Sequence, residues 1–196
     1  MKPILFNTEM VKAILDGRKT MTRRIIKPQP INGRMTAAGF LKAIPEHMDW
    51  GGKVVKPPYQ PGDILYVRET FCPYDVDHVI NGVKYAYKAD STPGSEETRK
   101  AYGYKWKPSI FMPKEAARVF LRVIGVKAER LQDITDEEAE KEGCNDATST
   151  AMGFSYVWDS TVKKVDLDKY GWGANPWVWV YEFERCEKPK EELPCC

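Results

Sequence analysis

The chain has 196 residues, 42% of them hydrophobic, and carries 30 lysines and arginines against 28 aspartates and glutamates. That is enough apolar material for one folded core, and the charge is too evenly balanced for a protein that coats long nucleic acid. Apolar runs such as Val119-Phe120-Leu121 are too short to cross a bilayer, and the first residues lack a signal-peptide core, which predicts a cytoplasmic protein.

The opening Pro3–Asn7 predicts a short strand. Thr8–Asp16 predicts a helix, capped by Asn7 or Thr8, with Met10, Val11, Ile14 and Leu15 on one apolar stripe. Gly17 fits the left-handed position that ends it. The chain then runs extended from Thr20 to Ile26, with Thr20, Thr22, Arg24 and Ile26 on one side and Met21, Arg23 and Ile25 on the other. Residues 28–60, rich in proline and glycine, predict a long loop or inserted hairpin with turns at Asn32-Gly33 and Gly51-Gly52.

Pro61-Gly62-Asp63 predicts a turn into a strand over Ile64–Phe71, on which Leu65, Val67, Glu69 and Phe71 share a face. Asn81-Gly82 predicts a hairpin turn and Val83–Ala89 its returning strand. The polar stretch from Asp90 to Gly103 predicts a mobile segment, and Trp106–Lys114 an extended piece between prolines. Ala117–Val126 predicts a strand. Gln132–Gly143 predicts an acidic helix with Thr135 and Glu138 as its capping box and a solvated charged face. A helix over Thr150–Lys164 and a closing strand over Pro176–Arg185 complete the list. No βαβ rhythm and no phosphate-binding glycine loop occur. The expected fold class is α+β, a curved barrel with peripheral helices, in one domain over residues 1–186 with an insertion at about 28–60 and a flexible tail over 187–196.

Five cysteines (72, 144, 186, 195 and 196) follow no disulfide or zinc spacing, and neither His47 nor His78 lies near one in sequence. Free thiols and no metal or other cofactor are expected. The residues richest in chemistry are Gly17-Arg18-Lys19-Thr20-Met21-Thr22-Arg23-Arg24. A lysine amine whose pKa is lowered by burial or by nearby cations can take a threonine proton and make the oxygen a nucleophile. The arginines supply that positive charge or bind phosphate. The same residues fit plain roles, with Arg18 and Lys19 as cations at a helix end and the threonines as ordinary strand residues. Glu69, on an otherwise apolar face, fits a buried partner for Lys19, an internal ion pair with Arg24, or a surface-facing glutamate on an exposed strand. Trp106 to Pro113 offers aromatic, hydroxyl and thioether groups that could wall a pocket for a flat base, or simply pack.

The run Ile14–Arg24 resembles the signature of the ASCH domain family, PUA-like β-barrels associated with RNA. Pro61–Glu69, Lys107–Pro113 and Asn175–Val180 resemble further pieces of its larger bacterial and phage-type members, in the same order. Those members often carry a histidine at the position of Phe111 and an aromatic at that of Glu115. Some small members are N4-acetylcytidine amidohydrolases, and that resemblance places the catalytic set on Lys19, Thr22 and Glu69. Arg18, Thr20, Arg23, Arg24, Trp106 and Ser109 become the candidate substrate-binding residues. The expected partner is a modified cytidine nucleoside or RNA, with no membrane and no metal. The resemblance implies an amidohydrolase acting on N4-acylated cytosine nucleosides or, as the alternative, a non-catalytic module that recognises a base in single-stranded or modified RNA.

Overall fold

The computed structural model describes residues 1–29, 48–50, 53–74, 84–144 and 150–189. The turns expected at Asn32-Gly33, Gly51-Gly52 and Asn81-Gly82, and residues 190–196 of the expected tail, lie outside the described residues. The described elements are β1 (Lys2–Leu5), α1 (Thr8–Leu15), β2 (Met21–Ile25), β3 (Met48–Trp50), β4 (Lys53–Val55), β5 (Ile64–Arg68), β6 (Phe71–Pro73), β7 (Tyr85–Tyr87), α2 (Pro93–Ala101), β8 (Phe120–Arg130), α3 (Asp136–Lys141), α4 (Ala151–Thr161), α5 (Leu167–Tyr170) and β9 (Trp177–Cys186). The fold class is α+β. Five strands form one sheet in the order β1-β5-β8-β9-β2, and β3-β4 and β6-β7 form two small hairpin sheets. No helix among the described residues is long and apolar enough to cross a membrane.

The chain divides into two compact units. The first comprises Met1–Asp16, Ile64–Arg122 and Arg185–Cys196, and the second Gly17–Asp63 and Val123–Glu184. In the first unit β1 runs parallel to β5, with Ile4 beside Val67, and β5 pairs antiparallel with the start of β8, with Leu65 beside Leu121. A core of Phe71, Met112, Ala116, Ala117 and Phe120 fills it. Helix α1 begins where the Asn7 side chain accepts from the Met10 N–H at 2.8 Å. It buries Val11, Ala13 and Ile14, while Met10 and Leu15 stay half-buried at the margins of the expected stripe.

In the second unit β2 pairs antiparallel with β9, so Thr22 lies opposite Tyr181 and Arg24 opposite Trp179. Met21, Val178 and Val180 pack with Leu131, Ile134, Ala139, Phe154 and Trp158 into its core. Helix α3 is capped by Thr135, whose hydroxyl accepts from the Glu138 N–H at 3.2 Å. Gly143, at φ +84°, ends it in the left-handed conformation.

Two segments depart from the sequence expectation. The polar stretch after Asp90 holds α2, a helix with no buried residue, stabilised by Pro93 in its first turn and by reciprocal Thr92–Ser95 capping bonds. Periodicity gave no signal because no apolar stripe exists. Trp106–Lys114 is not extended throughout. It makes one bridge, Lys107 with Phe71, and then turns through a single 3-10 turn at Ser109–Phe111. That turn buries Met112 completely and leaves Phe111 68% exposed, so Phe111 is not the core residue that its side chain suggests.

Gly17 stands at φ +78°, immediately after α1. A side chain there forces a left-handed L-residue, which costs about 1–2 kcal/mol. Gly17→Ala is expected to lower the melting temperature by roughly 2–4 °C per kcal/mol lost, read by thermal circular dichroism.

Candidate functional site

The cationic segment after Gly17 is bound to the end of α3, within the second unit. Arg18 Nη1 donates to the Gly143 carbonyl at 3.3 Å, Lys19 Nζ to the Glu142 carbonyl at 2.7 Å, and the Thr20 N–H to the Lys141 carbonyl at 2.9 Å. Three successive residues thus satisfy three successive carbonyls that a helix end leaves without intrahelical donors. The positive groups also meet the negative end of the helix.

Lys19 is 2% exposed. Its amine donates to the Met21 carbonyl, the Glu142 carbonyl and Glu142 Oε2, each at 2.7 Å. Burial pulls its pKa below the ordinary lysine value, the Glu142 carboxylate opposes that pull, and the nearby Arg24 adds to it. Arg23, 3% exposed, donates from Nε and Nη2 to Glu129 Oε1 at 3.0 and 2.6 Å, from Nη1 to Glu142 Oε1 at 3.2 Å, and from Nη2 to Glu138 Oε2. Burial works against the Arg23 charge, but Glu142, Glu129 and Glu138 outweigh it and hold its pKa up. Lys127 completes the cluster with Glu129 Oε2 and Glu138 Oε1, both at 2.7 Å. Three cations (Lys19, Arg23, Lys127) thus face three carboxylates (Glu129, Glu138, Glu142). The acidic helix face expected to be solvated is instead half turned inward: Glu138 and Glu142, four residues apart on one side of α3, bind the cations of β2.

Thr22 is buried at 3% exposure, whereas Thr20 is exposed. Arg24 is half-buried. Burial pulls its pKa down, against the Glu142 carboxylate and the Tyr59 and Tyr181 phenols.

Glu69 belongs to the first unit and is 1% exposed. Its carboxylate takes Arg118 as a bidentate partner, Nε on Oε1 at 2.9 Å and Nη2 on Oε2 at 3.1 Å. Arg118, not the Arg24 considered from sequence, is therefore its ion-pair partner. Burial nevertheless holds the Glu69 carboxyl above the usual range, against the pull of Arg118. Arg118 also binds Asp90 through both Nη atoms and lies 4.0 Å over the Tyr87 ring.

Beside this cluster the first unit has an open cleft of about 310 Å³, lined in part by Tyr74, Tyr85, Tyr87, Asp90, Trp106 and Arg118. Trp106 is therefore a pocket-wall residue. Its Nε1 donates to Glu96 Oε1 at 2.8 Å, and Arg99 stacks 4.9 Å over its ring. Ser109 is half-buried and is not a lining residue. Tyr87, on the strand β7, is one of the walls. No group of three or more metal-ligating side chains occurs among the described residues, and Cys72, Cys144 and Cys186 are free thiols.

The structure thus brings Lys19, Arg23 and the α3 carboxylates together in the second unit. It sets Arg118, Asp90 and Trp106 on one cleft in the first, with Glu69 buried and bound to Arg118. Sequence reasoning missed Glu142, Glu129, Arg118 and Asp90. The available signal was the i, i+4 spacing of Glu138 and Glu142 about the apolar Ala139, which marks one inward face. Comparison with models of known families, with curated proteins and with solved structures gives no match.

Glu142→Ala is expected to destabilise the protein by about 3–5 kcal/mol in urea unfolding, because it takes the carboxylate from the buried Lys19 ammonium and one of three from Arg23. The double substitution Lys19→Met/Glu142→Leu, which removes charge from both sides, is expected to lose less than Glu142→Ala alone.

Proposed function

We propose that this chain is an ASCH-type, PUA-like protein that hydrolyses the exocyclic amide of an N4-acylated cytosine nucleoside. The observation that carries the reading is the buried Lys19 amine, three residues before the buried Thr22 hydroxyl, with its pKa drawn below the ordinary value. A solvated lysine is protonated at neutral pH and takes no proton from an alcohol. A buried one that shares its proton with a carboxylate can.

In this reading the Lys19 ammonium first passes a proton to Glu142, whose Oε2 lies 2.7 Å away, and the ion pair becomes an amine and an acid. The amine then takes the Thr22 proton as the oxygen attacks the amide carbonyl carbon. The carbon–N4 bond breaks, the departing nitrogen receives a proton, and a Thr22 ester remains. Water hydrolyses that ester to the free carboxylic acid. The Lys19 ammonium formed in the attack returns that proton to the departing nitrogen. Separately from that step, the aromatic walls of the cleft in the first unit are of the kind that holds a flat heterocycle.

Incubation of the purified protein with N4-acetylcytidine is expected to release cytidine and acetate. Lys19→Ala and Thr22→Ala are each expected to reduce the rate by about 10²–10⁴. If no cytidine appears and the protein instead binds RNA in a salt-sensitive way, the non-catalytic RNA-binding role replaces this one.

A further inference from the structure

The cleft of the first unit combines aromatic walls with charges that are already matched. Arg118 uses Nε, Nη1 and Nη2 on the carboxylates of Glu69 and Asp90, so each nitrogen of its guanidinium already serves a carboxylate. Arg99 gives Nη2 to Glu96 Oε2 at 2.8 Å and Nη1 to the Tyr104 carbonyl. Tyr85 donates its hydroxyl to Glu115 Oε1 at 3.2 Å. Among the described residues, the charged groups bonded to or within the lining include two guanidiniums, Arg99 and Arg118, and four carboxylates, Glu69, Asp90, Glu96 and Glu115.

Arg99 is held by Glu96 and the Tyr104 carbonyl, and an entering phosphate would have to displace a carboxylate to reach Arg118. It would also meet Asp90, whose side chain is 53% exposed. A neutral ring meets no such opposition. It stacks on aromatic and guanidinium faces, and its exocyclic amine can donate to Asp90 as cytosine N4 donates to a carboxylate.

We propose that this cleft is a binding site for the uncharged ring of an amino-bearing nucleoside and rejects the corresponding nucleotide. The inference rests on the reading that the ligand is a nucleoside, and not on the hydrolysis step. Asp90 sets the discrimination by accepting from the exocyclic amine and repelling phosphate, while Trp106 supplies stacking that both ligands share.

Titration of the full chain with cytidine, N4-acetylcytidine and cytidine 5′-monophosphate, followed by tryptophan fluorescence and calorimetry, tests it. At low salt the nucleosides are expected to bind at least about tenfold more tightly than the monophosphate, and added salt should narrow the gap. Asp90→Asn should narrow it too, and Trp106→Ala should weaken all three ligands alike. Thermal melts of both variants report whether they fold, and the wild-type ratio stands without them. Equal or tighter binding of the monophosphate overturns the inference, with the nucleoside reading left standing if Trp106→Ala weakens both. Absence of binding by any of the three overturns both. Tight nucleoside binding without deacylation supports the inference and removes only the hydrolysis.

Discussion

A buried ammonium without a carboxylate is among the most unfavourable groups that a fold can contain, and Lys19 is buried. That constraint organises the second unit. The desolvation of one such charge amounts to several kcal/mol, and only a close, well-oriented partner offsets it. Glu142 is that partner, and it also serves Arg23. Because Glu142 stands at the C-terminal end of α3, the position of the helix end is set by the cations of residues 18–23. Glu138 and Glu129 complete the balance from α3 and β8. The Arg18-Lys19-Thr20 segment is thus first a clamp on a helix terminus. Any chemistry that it performs has to be compatible with that clamp.

The clamp and the proposed chemistry are compatible because one interaction sets both. In a low-dielectric site the charged pair is held by Coulomb attraction and opposed by desolvation of both ions, so the charged and neutral forms lie closer in energy than in water. Arg24 tilts the balance toward the neutral amine, and the two carbonyl acceptors on Lys19 tilt it back. A lysine in bulk solvent has no such balance and stays protonated. The hydrogen bonds that anchor the segment are therefore also the ones along which the proposed chemistry moves the proton. In the first unit Glu69 stands under the same opposition between burial and a cationic partner, with Arg118 in the role that Lys19 plays for Glu142.

Elements whose signal is local were legible in the sequence. The Asn7 cap, the Gly17 stop, the Thr135 cap and the Gly143 end each depend on one residue and its immediate neighbours, and each stands where its chemistry puts it. The inward face of Leu65, Val67, Glu69 and Phe71 was legible because strand alternation has period two, and all four side chains are buried even though the run divides into two strands. Helix α2 was not legible, since it buries nothing and rests on caps alone. The partners of the site were not legible either. Glu142 lies 123 residues from Lys19 and Arg118 lies 49 from Glu69, and nothing local distinguishes these from other charged residues on the chain. What the sequence did contain was the demand, because a carboxylate on an apolar face and a lysine at a strand entrance each require an opposite charge somewhere.

The pattern of partners also limits what Arg18, Lys19 and Arg23 of the basic run near the N-terminus offer to a phosphate. Arg23 is buried against three carboxylates, Lys19 is buried against one, and Arg18 gives an Nη to a helix-end carbonyl. Around the aromatic cleft the same economy holds, with Arg118 shared by two carboxylates and Arg99 held by Glu96. Strong binding to a nucleic-acid backbone requires cations free to replace condensed counterions, and cations already committed to carboxylates contribute little to it. At the two sites Lys19, Arg23, Arg99 and Arg118 are thus committed to carboxylates. Such matching favours ligands recognised by shape, stacking and hydrogen bonds over ligands recognised by charge, which is the selectivity that a nucleoside-binding protein needs in the presence of nucleotides and nucleic acids.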